Sequence, residues 1–128
     1  MSSSRAPIIK AFIAEGDLSS KQYYFVKYGT TNKQVVIAGA NEKTIGILMN
    51  APEAGQVAEI AMKGGGGLLK LGEASLSAGD LLTPTSGGVG EQADAADEWV
   101  GAELCEDGTL NDVKEVFVTG YYASKSDA

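Results

Sequence analysis

At 128 residues the chain has the size of one domain and can bury an apolar core without disulfides. It contains no histidine and one cysteine, Cys105, which excludes a disulfide within the chain and a His/Cys metal cluster. The net charge of −7 is unevenly divided. Residues 1–70 carry eight basic and five acidic side chains, whereas residues 71–128 carry two basic and twelve acidic ones, which argues against nucleic-acid binding by the acidic half.

The N-terminus is rich in serine up to about residue 7 and has no cleavable signal pattern. No apolar segment approaches the length of a membrane span, so we expect no membrane association and synthesis in the cytoplasm. Residues 8–14 then form a short apolar stretch that ends at Glu15. This stretch fits two structures equally well, a docking arm over residues 1–17 or the first strand of the domain.

Short runs with β-branched or alternating apolar residues follow, separated by turn residues. This spacing predicts an all-β fold, a compact β-barrel or β-sandwich. A helical turn is indicated only at residues 94–98. The predicted strand runs are residues 23–28, 34–37, 45–49, 57–62, 100–104 and 113–118.

Three local features have compositions that also occur in functional sites. Four glycines at 64–67 lack the Gly-Lys-Ser/Thr ending of a phosphate-binding loop, so a joint or a close backbone approach is expected there. The acidic residues Asp94, Asp97 and Glu98 lack the ligand spacing of a calcium loop, which predicts a solvated loop. Cys105 is interpreted as a small buried apolar residue, because no imidazole base is available to activate it.

The chain also repeats itself. Val57-x-Glu59-Ile60-x-Met62-x-Gly64 matches Val113-x-Glu115-Val116-x-Val118-x-Gly120, and Ile45-Gly46 matches Val100-Gly101. Such self-similarity indicates one β unit built twice, over residues 18–64 and 76–120 of a single domain spanning 18–128. Glycine inside a strand weakens pairing unless the geometry requires it, so Gly46 and Gly101 are predicted to be structural glycines.

Three classes of function remain. An enzyme is the weakest of them, because without histidine no recognisable pairing of base and nucleophile is present. A glycan- or receptor-binding β module on a virion or cell surface is the second, with Trp99, Tyr121 and Tyr122 as a platform, although Trp99 fits a core or interface anchor equally well. The third is a structural subunit whose function is to form an interface with other proteins.

An ordered series of strand and turn motifs resembles the head decoration (capsid cement) proteins of tailed bacteriophages. The likeness runs from about Ile8 to Gly120, and its specificity lies in the order of individually weak motifs. They are residues 12–15, residues 24–29, Ile45-Gly46, Gly55 with Val57-x-Glu59, residues 78–83 and Val100-Gly101.

The resemblance implies a β-rich structural virion protein without catalytic activity or cofactor. It implies a homotrimer on the outer surface of an icosahedral head, bound to the major capsid protein, with no direct contact to nucleic acid or membrane. Some relatives carry a recombinase label, but this chain lacks the phosphate-binding motif that such an ATPase needs. The opposite charges of the two halves are compatible with contacts between neighbouring copies.

We place the expected capsid contact in residues 1–15, which lie outside both repeats yet hold several large apolar side chains. An arm of this kind would order on binding and lay a strand along a capsid edge. The capsid-binding residues of this hypothesis are Arg5, Ile8, Ile9, Lys10, Phe12 and Ile13.

Overall fold

The computed structural model describes residues 6–93 and 98–123, and the regular secondary structure of this part is entirely β-strand. The predicted all-β fold is therefore confirmed. Within the same residues no helix is long and apolar enough to cross a membrane. The ten strands are β1 (Ile9–Ala14), β2 (Phe25–Tyr28), β3 (Gln34–Ile37), β4 (Gly46–Leu48), β5 (Val57–Met62), β6 (Gly66–Lys70), β7 (Leu81–Pro84), β8 (Gly90–Gln92), β9 (Trp99–Leu104) and β10 (Val113–Tyr122).

Strands β1 to β5 form the first unit, a closed barrel with the strand order β1-β3-β2-β4-β5. β1 closes the barrel by pairing in parallel with β3 and antiparallel with β5. Because successive side chains of a strand point to opposite faces, alternate apolar residues meet inside the barrel. This interior cluster consists of Phe12, Ala14, Leu18, Val26, Val35, Leu48, Ala58 and Ile60.

Strands β6 to β10 form the second unit, a five-stranded sheet with the order β6-β10-β9-β7-β8. A parallel bridge between Leu71 and Gly90 joins the end of β6 to the start of β8. The same relation, a parallel contact between the first and third strands, closes the first barrel. The second unit thus has the pairing scheme of the first, with a weaker closure.

The strand register shows how the two units correspond. Val26 pairs with Gly46 in the first unit, and Leu82 pairs with Ala102 in the second. Each residue of the second pair lies 56 positions after its counterpart in the first pair. Leu48 and Ile60 are matched in the same way by Leu104 and Val116, another antiparallel pair. The similarity between β5 and β10 in the sequence thus coincides with equivalent strands. By register, the residue of the second unit that is equivalent to Gly46 is Ala102. The sequence match instead pairs Gly46 with Gly101, one residue earlier.

The first strand belongs to this duplicated unit. β1 holds the place in the first unit that β6 holds in the second. It pairs with β5 over residues 9–13 and with β3 at Ile13 and Ala14. Of the two structures that the sequence leaves open, residues 9–14 form the internal strand, because β1 is part of the first barrel. The similarity of the units therefore begins earlier than residues 18 and 76, where it becomes visible in the sequence.

A second apolar cluster joins the two units. Phe25 and Ile47 alternate with barrel-interior residues, so they point out of the first barrel and pack onto the second unit. β4 is in consequence buried along its whole length. Fully burying side chains of this size stabilises a fold by about 1.5–3 kcal/mol each. The cluster comprises Phe25, Ala38, Ile47 and Ala61 of the first unit with Leu69, Leu71, Leu76, Leu82, Ala102, Leu104, Val116 and Val118 of the second.

The boundary between the units, called the seam below, is also crossed by backbone hydrogen bonds. The amide of Gly64 donates to Val118, and that of Phe25 donates to Gly88. At Gly65 a Cβ atom would lie 2.7 Å from the backbone nitrogen of Ile8, so a second backbone passes close to the glycine run. This close approach is one of the two roles that the sequence predicts for residues 64–67.

The two predicted structural glycines lie where space is restricted. A Cβ atom on Gly46 would collide with the backbone oxygen of Ala61 and lie 2.7 Å from Cγ2 of Ile60. On Gly101 it would lie 2.8 Å from both Cε1 of Phe25 and Oγ1 of Thr44. The first obstruction is backbone, whereas the second consists of two buried side chains.

We expect Gly46→Ala to destabilise the protein at the upper end of the roughly 1–3 kcal/mol typical of overpacking, and Gly101→Ala to cost less. Gly16→Ala is the matched control, because no atom lies within 4 Å of its added Cβ. Denaturant unfolding of the three variants measures the difference. Equal stability of Gly46→Ala and Gly16→Ala would contradict the close approach.

A second expectation concerns β1. Phe12→Ala should lower the free energy of unfolding by about 3–5 kcal/mol, because it leaves a cavity inside the first barrel. Ile9→Ser, on the opposite and exposed face of the same strand, should cost less than about 1 kcal/mol. Similar thermal melts for the two variants would show that β1 contributes no core packing.

Candidate binding surfaces

The six residues predicted to bind a capsid do not form one surface. Phe12 is 5% exposed and lies inside the first barrel, with its ring centroid 6.1 Å from that of Tyr28. It is therefore not available to a partner, because pleating turns it inward. Ile13 is half-buried and Lys10 is exposed. Arg5 lies outside the described residues.

Ile8 and Ile9 are the members of this set that present apolar surface. They are 51% and 47% exposed, whereas most large apolar side chains of the described chain are covered. Ile8 packs against the backbone at Gly64 and Gly65. A shallow cavity of about 360 Å³, lined by Pro7, Met49, Leu68 and two glutamates, Glu106 and Glu115, lies nearby along β6. This region is the first candidate surface, an exposed apolar edge.

The second candidate surface is a groove of about 540 Å³ at one end of the seam. It is formed by the ends of β2, β5 and β10 and by the residues that lead into β4 and β9. We call it the seam groove. Its lining residues are Tyr28, Lys43, Thr44, Ile45, Met62, Lys63, Trp99, Thr119, Gly120, Tyr121 and Tyr122.

Trp99 forms the floor of the seam groove and is 5% exposed. Its indole Nε1 donates a hydrogen bond of 2.8 Å to the buried hydroxyl oxygen of Thr44, across the seam. The Tyr122 ring meets the indole edge to face with centroids 5.0 Å apart. The ring is thus an anchor of the interface between the units and lies at the base of an aromatic surface. Its role in a binding platform stays a prediction.

The charged side chains that line the seam groove, among the described residues, are two lysines. The Lys43 ammonium lies 5.9 Å from the centroid of the Trp99 ring, a cation–π contact. The Lys63 ammonium donates a 3.2 Å hydrogen bond to the carbonyl of Gly120. Within residues 6–93 and 98–123, no aspartate or glutamate lines the groove. The groove therefore combines aromatic faces with two positive charges.

Sequence reasoning found Trp99, Tyr121 and Tyr122 but missed Tyr28, Lys43 and Lys63. A signal for the missing residues was present in the repeat. Lys43 precedes β4 and Trp99 begins β9, two equivalent strands, and Lys63 directly follows β5, the partner of β10. The ends of equivalent strands meet at the seam.

Cys105 corrects one prediction, since it is exposed rather than buried. It follows the buried Leu104 at the end of β9, so alternation turns it outward. Partial burial, and then the charges of Glu115, Glu103 and Glu106, raise the pKa of its thiol above the usual range. The thiol is protonated at neutral pH and is a poor nucleophile. Of the acidic loop residues, Asp94 and Asp97 lie outside the described residues.

No protein-family model matches the chain, and no curated protein matches it. Among solved structures, the N base of the head fiber gp8.5 of bacteriophage phi29 is similar. The TM-score is 0.68, and the match covers 88% of this chain and 93% of that chain. At 13% sequence identity the match shows a shared fold, which spans both units.

The Trp99–Thr44 hydrogen bond supplies a direct test of the seam. Thr44→Val keeps the shape of the side chain but leaves the indole N–H buried without an acceptor, which should cost about 1–3 kcal/mol. Since Trp99 is the one tryptophan of the chain, its emission maximum should shift as well. Thr31→Val, at an exposed threonine for which the described residues show no side-chain hydrogen bond, is the control and should change neither property. An unchanged melt and emission in Thr44→Val would mean that the bond does not hold the seam.

Proposed function

We propose that this protein is a structural component of a tailed-phage virion that attaches to the outer surface of the head and has no catalytic activity. The observation that carries the proposal is the fold match to the N base of a phage head fiber, which covers nearly all of both chains. Because both units are matched, the similarity concerns the whole arrangement and not a single common barrel. The resemblance to decoration proteins, read from sequence motifs, supports the same assignment.

In this proposal the partner is the major capsid protein in its assembled lattice, and the chain acts as a homotrimer. A subunit that binds only the assembled lattice stabilises the lattice by mass action. Binding lowers the free energy of the assembled state and leaves that of the free capsid subunits unchanged. Many identical sites repeat the effect over the shell. No cofactor is needed for such a function.

The exposed apolar edge is the surface that we assign to the head. Ile8 and Ile9 are adjacent, about half exposed and outside both apolar clusters. Two large apolar side chains in this position gain by being covered, each by up to about 1.5–3 kcal/mol on full burial. In the sequence, Lys10 and Arg5 add positive charge to an otherwise acidic protein. The edge uses side chains of β1 without requiring β1 to leave the barrel.

The opposite charges of the two halves support contacts between copies within the trimer. A contact between the first unit of one copy and the second unit of the next is heterologous and closes around a threefold axis. Exposed charge pairs of this kind are screened beyond about 8–10 Å at physiological ionic strength, so the contribution of charge to the trimer falls as salt is added.

The test compares two kinds of phage particle. One comes from a strain that carries the gene for this protein, and the other from the same strain with that gene deleted. Cryo-electron microscopy should show density on the outside of the head, in groups of three, that is absent from the deletion particles. Complementation with Ile8→Ser/Ile9→Ser should lower the copy number per particle at least about tenfold, since two apolar contacts are lost. Leu110→Ser, at a similarly exposed leucine of the second unit, is the matched control and should retain full occupancy.

Two results would contradict the proposal. The first is absence of the protein from purified particles that contain the other head proteins. The second is density inside the shell or on the tail alone. Unchanged occupancy in the double variant would leave the head assignment intact and move the contact to another surface.

A further inference from the structure

We propose that the seam groove is a binding site for an anionic saccharide. The proposal does not depend on attachment to a phage head. In the part of the chain that the structure describes, the groove and the cavity beside the exposed apolar edge share no lining residue. A protein fixed through one of these surfaces would leave the other open to a ligand.

The aromatic side chains of the groove fit the apolar faces of sugar rings. Tyr28 and Tyr122 are 62% and 58% exposed, so their rings offer surface that the fold itself does not cover. Trp99 lies beneath them, and its contact with Tyr122 restricts the orientation of that ring. Ligand sites commonly combine apolar and aromatic walls with a few placed polar groups, and an amphipathic ring with little freedom gives area at small entropic cost.

The charge of the groove favours a negatively charged sugar over a neutral one. Two lysines line it in a protein whose net charge is −7, and among the described residues no carboxylate lines it. Among the described residues, no ion pair joins Lys43 or Lys63 to a carboxylate. Lys43 and Lys63 are held by an aromatic ring and a carbonyl, contacts that leave ammonium hydrogens for an anion.

The site is also preformed. Thr44 is fixed by the Trp99 hydrogen bond, and the Thr119 hydroxyl donates to the carbonyl of Val100 at 3.0 Å. Gly120 keeps the floor low, because a Cβ at this position would lie 3.2 Å from the Trp99 ring. A groove whose walls are already ordered loses little conformational entropy on binding. The supporting residues come from both units, since Thr44 precedes β4 and the others lie in β9 and β10.

The experiment uses the full chain and the emission of Trp99, the one tryptophan, as a reporter within the groove. Tetragalacturonate is the probe, maltotetraose is the neutral saccharide of equal length, and tetraglutamate is the anionic peptide. Tetragalacturonate should change the emission saturably, with a Kd at least about fivefold lower than either comparison ligand. Added salt should weaken its binding, because the charges at the groove are exposed. Isothermal titration calorimetry on the same samples detects binding that leaves the emission unchanged.

Variants then locate the site. Lys43→Gln and Lys63→Gln should each raise the Kd about two- to fivefold, as expected for an exposed charge pair. Tyr122→Ala should raise it about tenfold or more, as for an aromatic anchor. Lys33→Gln, at an exposed lysine in the turn before β3, is the matched control and should not change the Kd. Thermal melts of each variant verify that the fold is intact.

Three outcomes would overturn the proposal. The first is absence of a saturable signal by both methods. The second is equal affinity for maltotetraose, which would remove the role of the lysines, or equal affinity for tetraglutamate, which would indicate an anionic peptide site. The third is binding that Tyr122→Ala and Lys43→Gln leave unchanged, which would place the ligand elsewhere on the chain.

Discussion

The structure depends on the packing of the two units against each other across their shared apolar cluster. The side chains of Phe25 and Ile47 point outward from the first barrel and are fully buried against the second unit. Strands with both faces covered require small residues where backbones approach, and Gly46 and Gly67 supply them. At Gly67 a Cβ would already touch Val118 and Ala61, one residue from each unit. Each unit alone would expose this apolar surface to water, so we infer that the two units fold as one body.

The duplication was recognisable in the sequence only in part, for physical reasons. β5 and β10 lie in equivalent environments and keep a similar pattern, so Glu59 and Ile60 are matched by Glu115 and Val116. β1 and β6 share only their burial: Phe12 in the first unit and Leu69 in the second both point inward. Packing specifies an apolar side chain of suitable volume and not its identity, so similarity is lost while the fold remains.

The candidate surfaces were less predictable than the fold. Apolar residues at 8–13 fit both a free arm and a barrel strand, because one spacing serves either structure until the pairing partners are known. The exposure of Cys105 depends on where β9 ends, and strand ends are the least certain part of a sequence interpretation. The seam groove joins residues more than 50 positions apart, such as Thr44 and Trp99, and no local pattern links them.

The repeat itself gives a physical reason for the chemistry of the groove. Lys43 and Trp99 are 56 positions apart, the offset that relates equivalent residues of β4 and β9, and they contact each other across the seam. Equivalent positions of the two units therefore lie next to each other here. In two identical copies this contact would place like beside like, and two lysines would repel each other. In this sequence the two positions differ, and the contact is a cation over an aromatic ring. Lys63 shows the same divergence, because its position 56 residues later is occupied by Thr119, a neutral residue that also lines the groove. Duplication thus brings equivalent positions together, and sequence divergence between the copies makes them a site.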